Sequence, residues 1–88
     1  MVRFGMLWND PSAKKSVKQK IGEGCSAFIN KYKKQPTHCS MPPAWFAQLT
    51  AIDVEEIRKD SGVIVEDSQN VHLGSLFIGY PDMPKGWN

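Results

Sequence analysis

Cysteine and histidine are scarce in this chain: Cys25, Cys39, His38 and His72 are all that 88 residues contain. Two thiols are too few for a disulfide scaffold, so a reducing cytoplasm is the simplest expected setting. Paired C-x-x-C and H-x-x-x-H spacings are missing, which removes the usual sequence signature of a zinc site. Phosphate-cradling glycine patterns are missing too, both G-x-G-x-x-G and the Walker lysine motif. Every apolar stretch falls far short of the ~20 residues needed to span a bilayer. The opening run Met1 to Trp8 has no extended apolar region or small-residue cleavage site, so it is not expected to act as a signal peptide. No internal repeat or low-complexity segment is present.

What remains is ordinary globular composition, 41% hydrophobic and 23% charged. The length suits one domain, and a chain this small buries only roughly 60–65% of its unfolded surface. We expect one compact domain over residues 1–80, with residues 81–88 as a tail. The net charge of +2 conceals a division. Residues 1–50 carry eight Lys/Arg against Asp10 and Glu23, a balance of +6. Residues 51–88 carry three against seven acids, a balance of −4. Such polarity marks a face for nucleic acid or an acidic partner, or two halves that screen each other in the fold.

Phe4, Met6 and Trp8 alternate with period two, which predicts a first strand over 2–8. Asn9-Asp10-Pro11 then predicts a helix start, with Asp10 as cap and Pro11 in the first turn. The helix should run from Pro11 to about Lys33 on the stripe Val17, Ile21, Cys25, Phe28 and Tyr32. Gly22 and Gly24 inside it each cost about 1 kcal/mol relative to Ala, which fits close packing or a local irregularity. Pro36 forces the helix to stop before it. Thr37 to Met41 reads as a short strand, and Pro42-Pro43 opens a second helix from Ala44 to about Ala51, with Trp45, Leu49 and Ile52 at helical spacing. Asp53 and Glu56 suit a capping box for a third helix that ends at Gly62, and a strand over Ile52 and Val54 is the competing reading. Val63 to Glu66 and Val71 to Tyr80 read as two strands joined as a hairpin across Asp67 to Asn70. The predicted class is α+β: a small mixed sheet of about four strands, one long amphipathic helix across a face, and one or two short helices.

No catalytic constellation emerges, and no cofactor or metal is implied. His38 and Cys39 are neighbours on a predicted strand and point to opposite faces, so they cannot form a nucleophile–base pair. Cys25 lies in the apolar stripe, where cysteine behaves as a small hydrophobe. In the acidic cluster, Asp53 and Glu56 are explained as a helix start, and Glu55, Asp60, Glu66 and Asp67 as solvated positions.

The long helix is rich in lysine: Lys14, Lys15, Lys18, Lys20, Lys31, Lys33 and Lys34 against Glu23 alone. At 100° per residue, Lys15, Lys20, Lys33 and Lys34 fall outside the stripe and are expected in solvent, while Lys14 and Lys18 lie near its edge. These four are the candidate contacts to an acidic protein or to a phosphate backbone. No exposed aromatic interleaves them, so base stacking is not indicated. Trp87, in the Pro/Gly tail, is a further candidate contact, either folded back on the sheet or free to anchor a partner.

A strand with an aromatic and Asp-Pro, the lysine-rich helix, the segment Lys31-Tyr32-Lys33-Lys34-Gln35-Pro36-Thr37-His38-Cys39, and the late strand Leu76-Phe77-Ile78-Gly79-Tyr80 together resemble a group of small prokaryotic or phage proteins without an assigned activity. The resemblance implies no catalytic residues. The functional expectation is therefore a non-enzymatic protein-interaction module or accessory subunit, of the kind carried by mobile elements. Its partner is expected to be a protein or another copy of the chain, not a membrane. The alternative is a nucleic-acid-binding protein using the lysine-rich helix over 14–34.

Overall fold

The chain folds as a sheet with helices on one side, described by a computed structural model over residues 2–85. The elements are β1 (Phe4–Asn9), α1 (Val17–Tyr32), β2 (His38–Met41), α2 (Pro43–Phe46), α3 (Ala51–Ser61), β3 (Ile64–Asp67) and β4 (Ser75–Tyr80). The strand order is β1-β4-β2-β3. β4 runs antiparallel to both β1 and β2, and β3 runs parallel to β2. The expected mixed four-stranded sheet with a long helix on one face is what forms.

The hairpin expected from the last two strands does not form, because β2 lies between them. Cys39 of β2 sits opposite Val65 on one side and Ile78 on the other, so β2 completes a row of apolar side chains under the helices. Residues 68–74 carry the chain over the end of β2. Ser68 N–H donates to the Met41 carbonyl, and Asn70 N–H donates to Ser68 Oγ. The parallel β2–β3 pair needs a crossover, and α2 and α3 supply it.

Several boundaries differ from the sequence reading, each for a local reason. α1 starts at Val17, not Pro11: Ser16 is the N-cap and its hydroxyl accepts from Gln19 N–H. Asp10 instead closes a turn of its own, accepting from Ser12 N–H at 3.2 Å. α3 begins one turn earlier than Asp53 suggested. Thr50 is its cap, and Asp53 sits three residues on, at the reciprocal position. α2 is a single turn. Ile52, expected to continue the helical spacing of Trp45 and Leu49, belongs instead to α3 and is 72% exposed.

The core fills the layer between α1 and the sheet with Val17, Ile21, Cys25 and Phe28 against Cys39, Met41, Val65, Leu76, Ile78 and Tyr80. The Phe28 ring lies 4.8 Å from that of Tyr32 and 5.9 Å from that of Tyr80, in tilted and edge-on arrangements that aromatic rings prefer. Gly24 lets α1 settle on the sheet: a Cβ there would meet Ile78 and Trp8 within 3 Å. Gly22 has no such role, since nothing lies within 4 Å of its missing Cβ. Gly5 and Gly79 face each other across β1 and β4, and a side chain on either would strike the opposite main chain.

The other face of the sheet carries no helix. Leu7, Phe77, Ser40 and Glu66 form one row across it, and Gly5, Gly79, His38 and Ile64 the next. Val2 curls beneath this face: its N–H donates to Ser40 Oγ at 3.2 Å, and Ser40 Oγ donates to Glu66 at 2.9 Å.

Candidate functional site

The candidate lysines do not form one solvated face. Lys20 is a correction to the sequence reading: it is only 5% exposed and lies within the buried surface of α1. The reason is helical geometry. Val17, Lys20, Gly24 and Phe28 make a second buried row beside Val17, Ile21, Cys25 and Phe28, and a stripe drawn through the larger apolar residues hides it. Lys15 precedes the helix and is neutralised: its Nζ lies 3.3 Å from Asp10 Oδ2 and 2.8 Å from Glu23 Oε1. Lys18 reaches across to α3 and pairs with Glu56 at 3.2 Å. Lys31 lies over the Tyr32 ring at 5.3 Å. Lys33 and Lys34 are exposed where α1 ends, with Lys33 in the left-handed region (φ 58°) as the helix C-cap. Trp87 lies outside the described residues.

The Lys20 side chain runs into a cavity of about 470 Å³ beside the start of α1. Pro11, Ser12, Ala13 and Lys15 bound it on the β1–α1 connection, Val17 and Lys20 on α1, Trp45 and Gln48 at α2, and Leu73 and Gly74 before β4. Local sequence shapes this place. Asp10 N–H donates to the Gly74 carbonyl, tying the β1–α1 connection to the turn before β4, and Gly74 takes a positive φ of 92° there. Lys20 Nζ sits 4.1 Å from the Trp45 ring centroid. That cation–π contact holds the ammonium but accepts none of its N–H donors. Among the described residues no carboxylate pairs with it and no acceptor takes a hydrogen bond from it. Asp10 is near enough to feel its field, but is engaged by Lys15 and Ser12. Burial works to raise the Asp10 pKa, and those hydrogen bonds together with the lysine charges hold it below the ordinary value.

The sequence reading took Trp45 as core and gave no role to Gln48 or Leu73. The available signal was Lys20 itself, three residues after Val17 and four before Gly24, on the row that packs inward.

The thiols are interior groups. Cys25 and Cys39 are both buried and unbridged. Burial pushes the Cys25 thiol up to about 11, and burial followed by the nearness of Cys25 and Glu66 pushes Cys39 up further. Both therefore stay protonated and unreactive at neutral pH. His38 projects from the open face of the sheet, its Nδ1 2.8 Å from Thr37 Oγ1, while Cys39 points into the core. His72 is exposed in the connection before β4. The structure thus brings no histidine to either cysteine, and no group of three or more metal-ligating side chains occurs among the described residues. No described helix is long and apolar enough to cross a membrane.

No family model, curated protein or solved structure matches this chain.

Proposed function

We propose that this chain is a non-enzymatic interaction module that docks a protein partner on the helix-free face of its sheet. The observation that carries this reading is the pair Leu7 and Ile64, exposed by 58% and 52% on a face with no helix over it. Phe77 lies beside Leu7, glycines at positions 5 and 79 keep part of the floor flat, and His38 and Glu66 add polar groups toward the Ile64 side of the face. Exposed apolar area of this kind, with polar groups beside it, suits protein contact better than phosphate contact. Reading nucleic acid onto α1 has less support. Lys15 and Lys18 are already paired with carboxylates, Lys20 is inside, and Lys33 and Lys34 stand at the far end of the helix from Lys14.

The test compares wild type with Leu7→Asp/Ile64→Asp and Lys33→Gln/Lys34→Gln, each tagged and recovered from its native cell. The expected outcome is a defined protein that co-purifies with wild type and the lysine variant and is lost from the Leu7/Ile64 variant. Recovery that is abolished by nuclease, or by the lysine changes instead, would overturn the reading.

A further inference from the structure

We infer that the cavity around Lys20 is a binding site for a small organic monoanion, a carboxylate with an apolar body. This goes beyond the docking face, which lies on the other side of the sheet. Burying an ammonium without a counterion is unfavourable, and native proteins pair such groups or hydrogen-bond them. Lys20 is more than nine-tenths buried, and its ammonium lies over the Trp45 ring, with Asp10 near enough to feel its charge but no ion pair or hydrogen bond to it among the described residues. Its three N–H donors are left for something that enters the cavity. The first turn of α1 adds to the same potential. The opening N–H groups of a helix have no intrahelical acceptor, and Ser16 meets only those of Gln19 and Lys20.

The count of charges sets the ligand class. Lys15 holds both Asp10 and Glu23, so the two lysines and two carboxylates here sum to zero, and Lys20 is the one ammonium of the wall without an ion pair among the described residues. One free ammonium matches a carboxylate better than a phosphate dianion, which would also approach Asp10. The rest of the wall sets the body of the ligand. Pro11, Ala13, Val17 and Leu73 are apolar, and Leu73 is 74% exposed at the rim. Gln48 adds a neutral amide to the lining. A compact acid with a flat or branched apolar body fits such a wall, its carboxylate on Lys20 and its body against Leu73 and Val17.

The test is titration of the ¹⁵N-labelled full chain with benzoate, with methyl benzoate and with inorganic phosphate, followed by two-dimensional NMR. Benzoate should give saturable shifts at the Trp45 indole N–H and the Gln48 side-chain amide, and methyl benzoate should not. Lys20→Met should weaken benzoate binding by about tenfold or more, the loss of charge-assisted hydrogen bonding. Leu73→Asp keeps the assay decisive if Lys20→Met unfolds the chain: Leu73 is exposed, so the fold should persist, and the added negative charge should also weaken benzoate by about tenfold or more. Three results would each overturn the inference. One is no shift at these groups with benzoate at millimolar concentration. Another is equal binding of the ester. The third is phosphate binding more tightly than benzoate at the same groups. Because Leu7→Asp/Ile64→Asp leaves this wall intact, failure here is distinguishable from failure of the docking face.

Discussion

Phe28 and the two cysteines show how much of this fold rests on single side chains. Phe28 is fully buried between α1 and the sheet, and its ring touches both Tyr32 and Tyr80. Phe28→Ala leaves a cavity that the stacked layers cannot close. It should cost about 3–5 kcal/mol, a large share of a small domain's stability. Urea unfolding of the variant checks this, and an unchanged midpoint would mean that Phe28 is not packed. The thiols make a prediction about rates. With Cys25 raised to about 11, almost none of it is thiolate at neutral pH, and Cys39 lies deeper still. Labelling by a thiol reagent should therefore follow opening of the fold and speed up steeply in denaturant. Rapid labelling in native buffer would place Cys25 outside the core. Both roles were legible in the sequence, because Cys25 and Phe28 stand on a periodic apolar stripe. Lys20 was not, since its charge argued for solvent while its position on the helix argued for burial. Position prevailed because Trp45 offers a ring for the ammonium to sit on.

At the scale of elements, local signals located most of the chain and misplaced several ends. The stripe of α1 and the alternation of β1 are properties of neighbouring residues, so they read directly. The start of α1 did not, because Asp10 and Ser16 are both good caps; the Lys15 bridge to Asp10 and Glu23 holds residues 10–16 as a turn. The pairing of β3 with β2 in place of β4 was not legible at all, since it depends on a contact between residues far apart in sequence. α3 shows how one residue moves an end. Thr50 Oγ1 accepts from Asp53 N–H at 3.1 Å, and Asp53 Oδ2 accepts from Thr50 N–H at 3.0 Å. Thr50→Ala should destabilise by about 1 kcal/mol in thermal or urea melts. The Asp53 carboxyl is held below its ordinary value, first by the Thr50 backbone N–H and then by the Thr50 hydroxyl, with Lys18 adding to this. A depressed carboxyl stabilises the fold above its unfolded value and loses that contribution as pH falls through the folded one. The difference in melting temperature between wild type and Asp53→Ala should thus be full at neutral pH and shrink as pH falls below 3.8, the ordinary value for an aspartate. A difference that stays constant down to pH ~2 would show that the carboxylate is not what caps the helix.

For the molecule as a whole, the division of charge between the two halves of the sequence is largely resolved by folding. Lys18 of α1 pairs with Glu56 of α3, and the Lys18 field reaches Asp53, so the basic and acidic halves meet along the helix layer. Lys15 is taken up by Asp10 and Glu23, and Lys20 is enclosed. Of the four lysines expected to act together, only Lys33 and Lys34 remain as exposed cations without an ion pair among the described residues. Replacing all four together would break the Lys15 bridges and disturb the buried Lys20, so Lys33 and Lys34 are changed as a separate pair. Lys33→Gln/Lys34→Gln should alter stability by about 0.5 kcal/mol or less at each site, because both side chains are solvated and both residues lie past the last helical residue of α1. Two phosphate contacts at most would be lost with them, so the salt slope of any nucleic-acid binding should change by no more than about two released counterions between wild type and the double variant. We expect no micromolar binding to generic DNA or RNA at physiological salt, and no difference between wild type and the double variant. Fluorescence anisotropy with labelled oligonucleotides of increasing length is the measurement. Length-dependent micromolar binding with a steep salt slope, reduced in the double variant, would move the functional surface from the open sheet face to the end of α1.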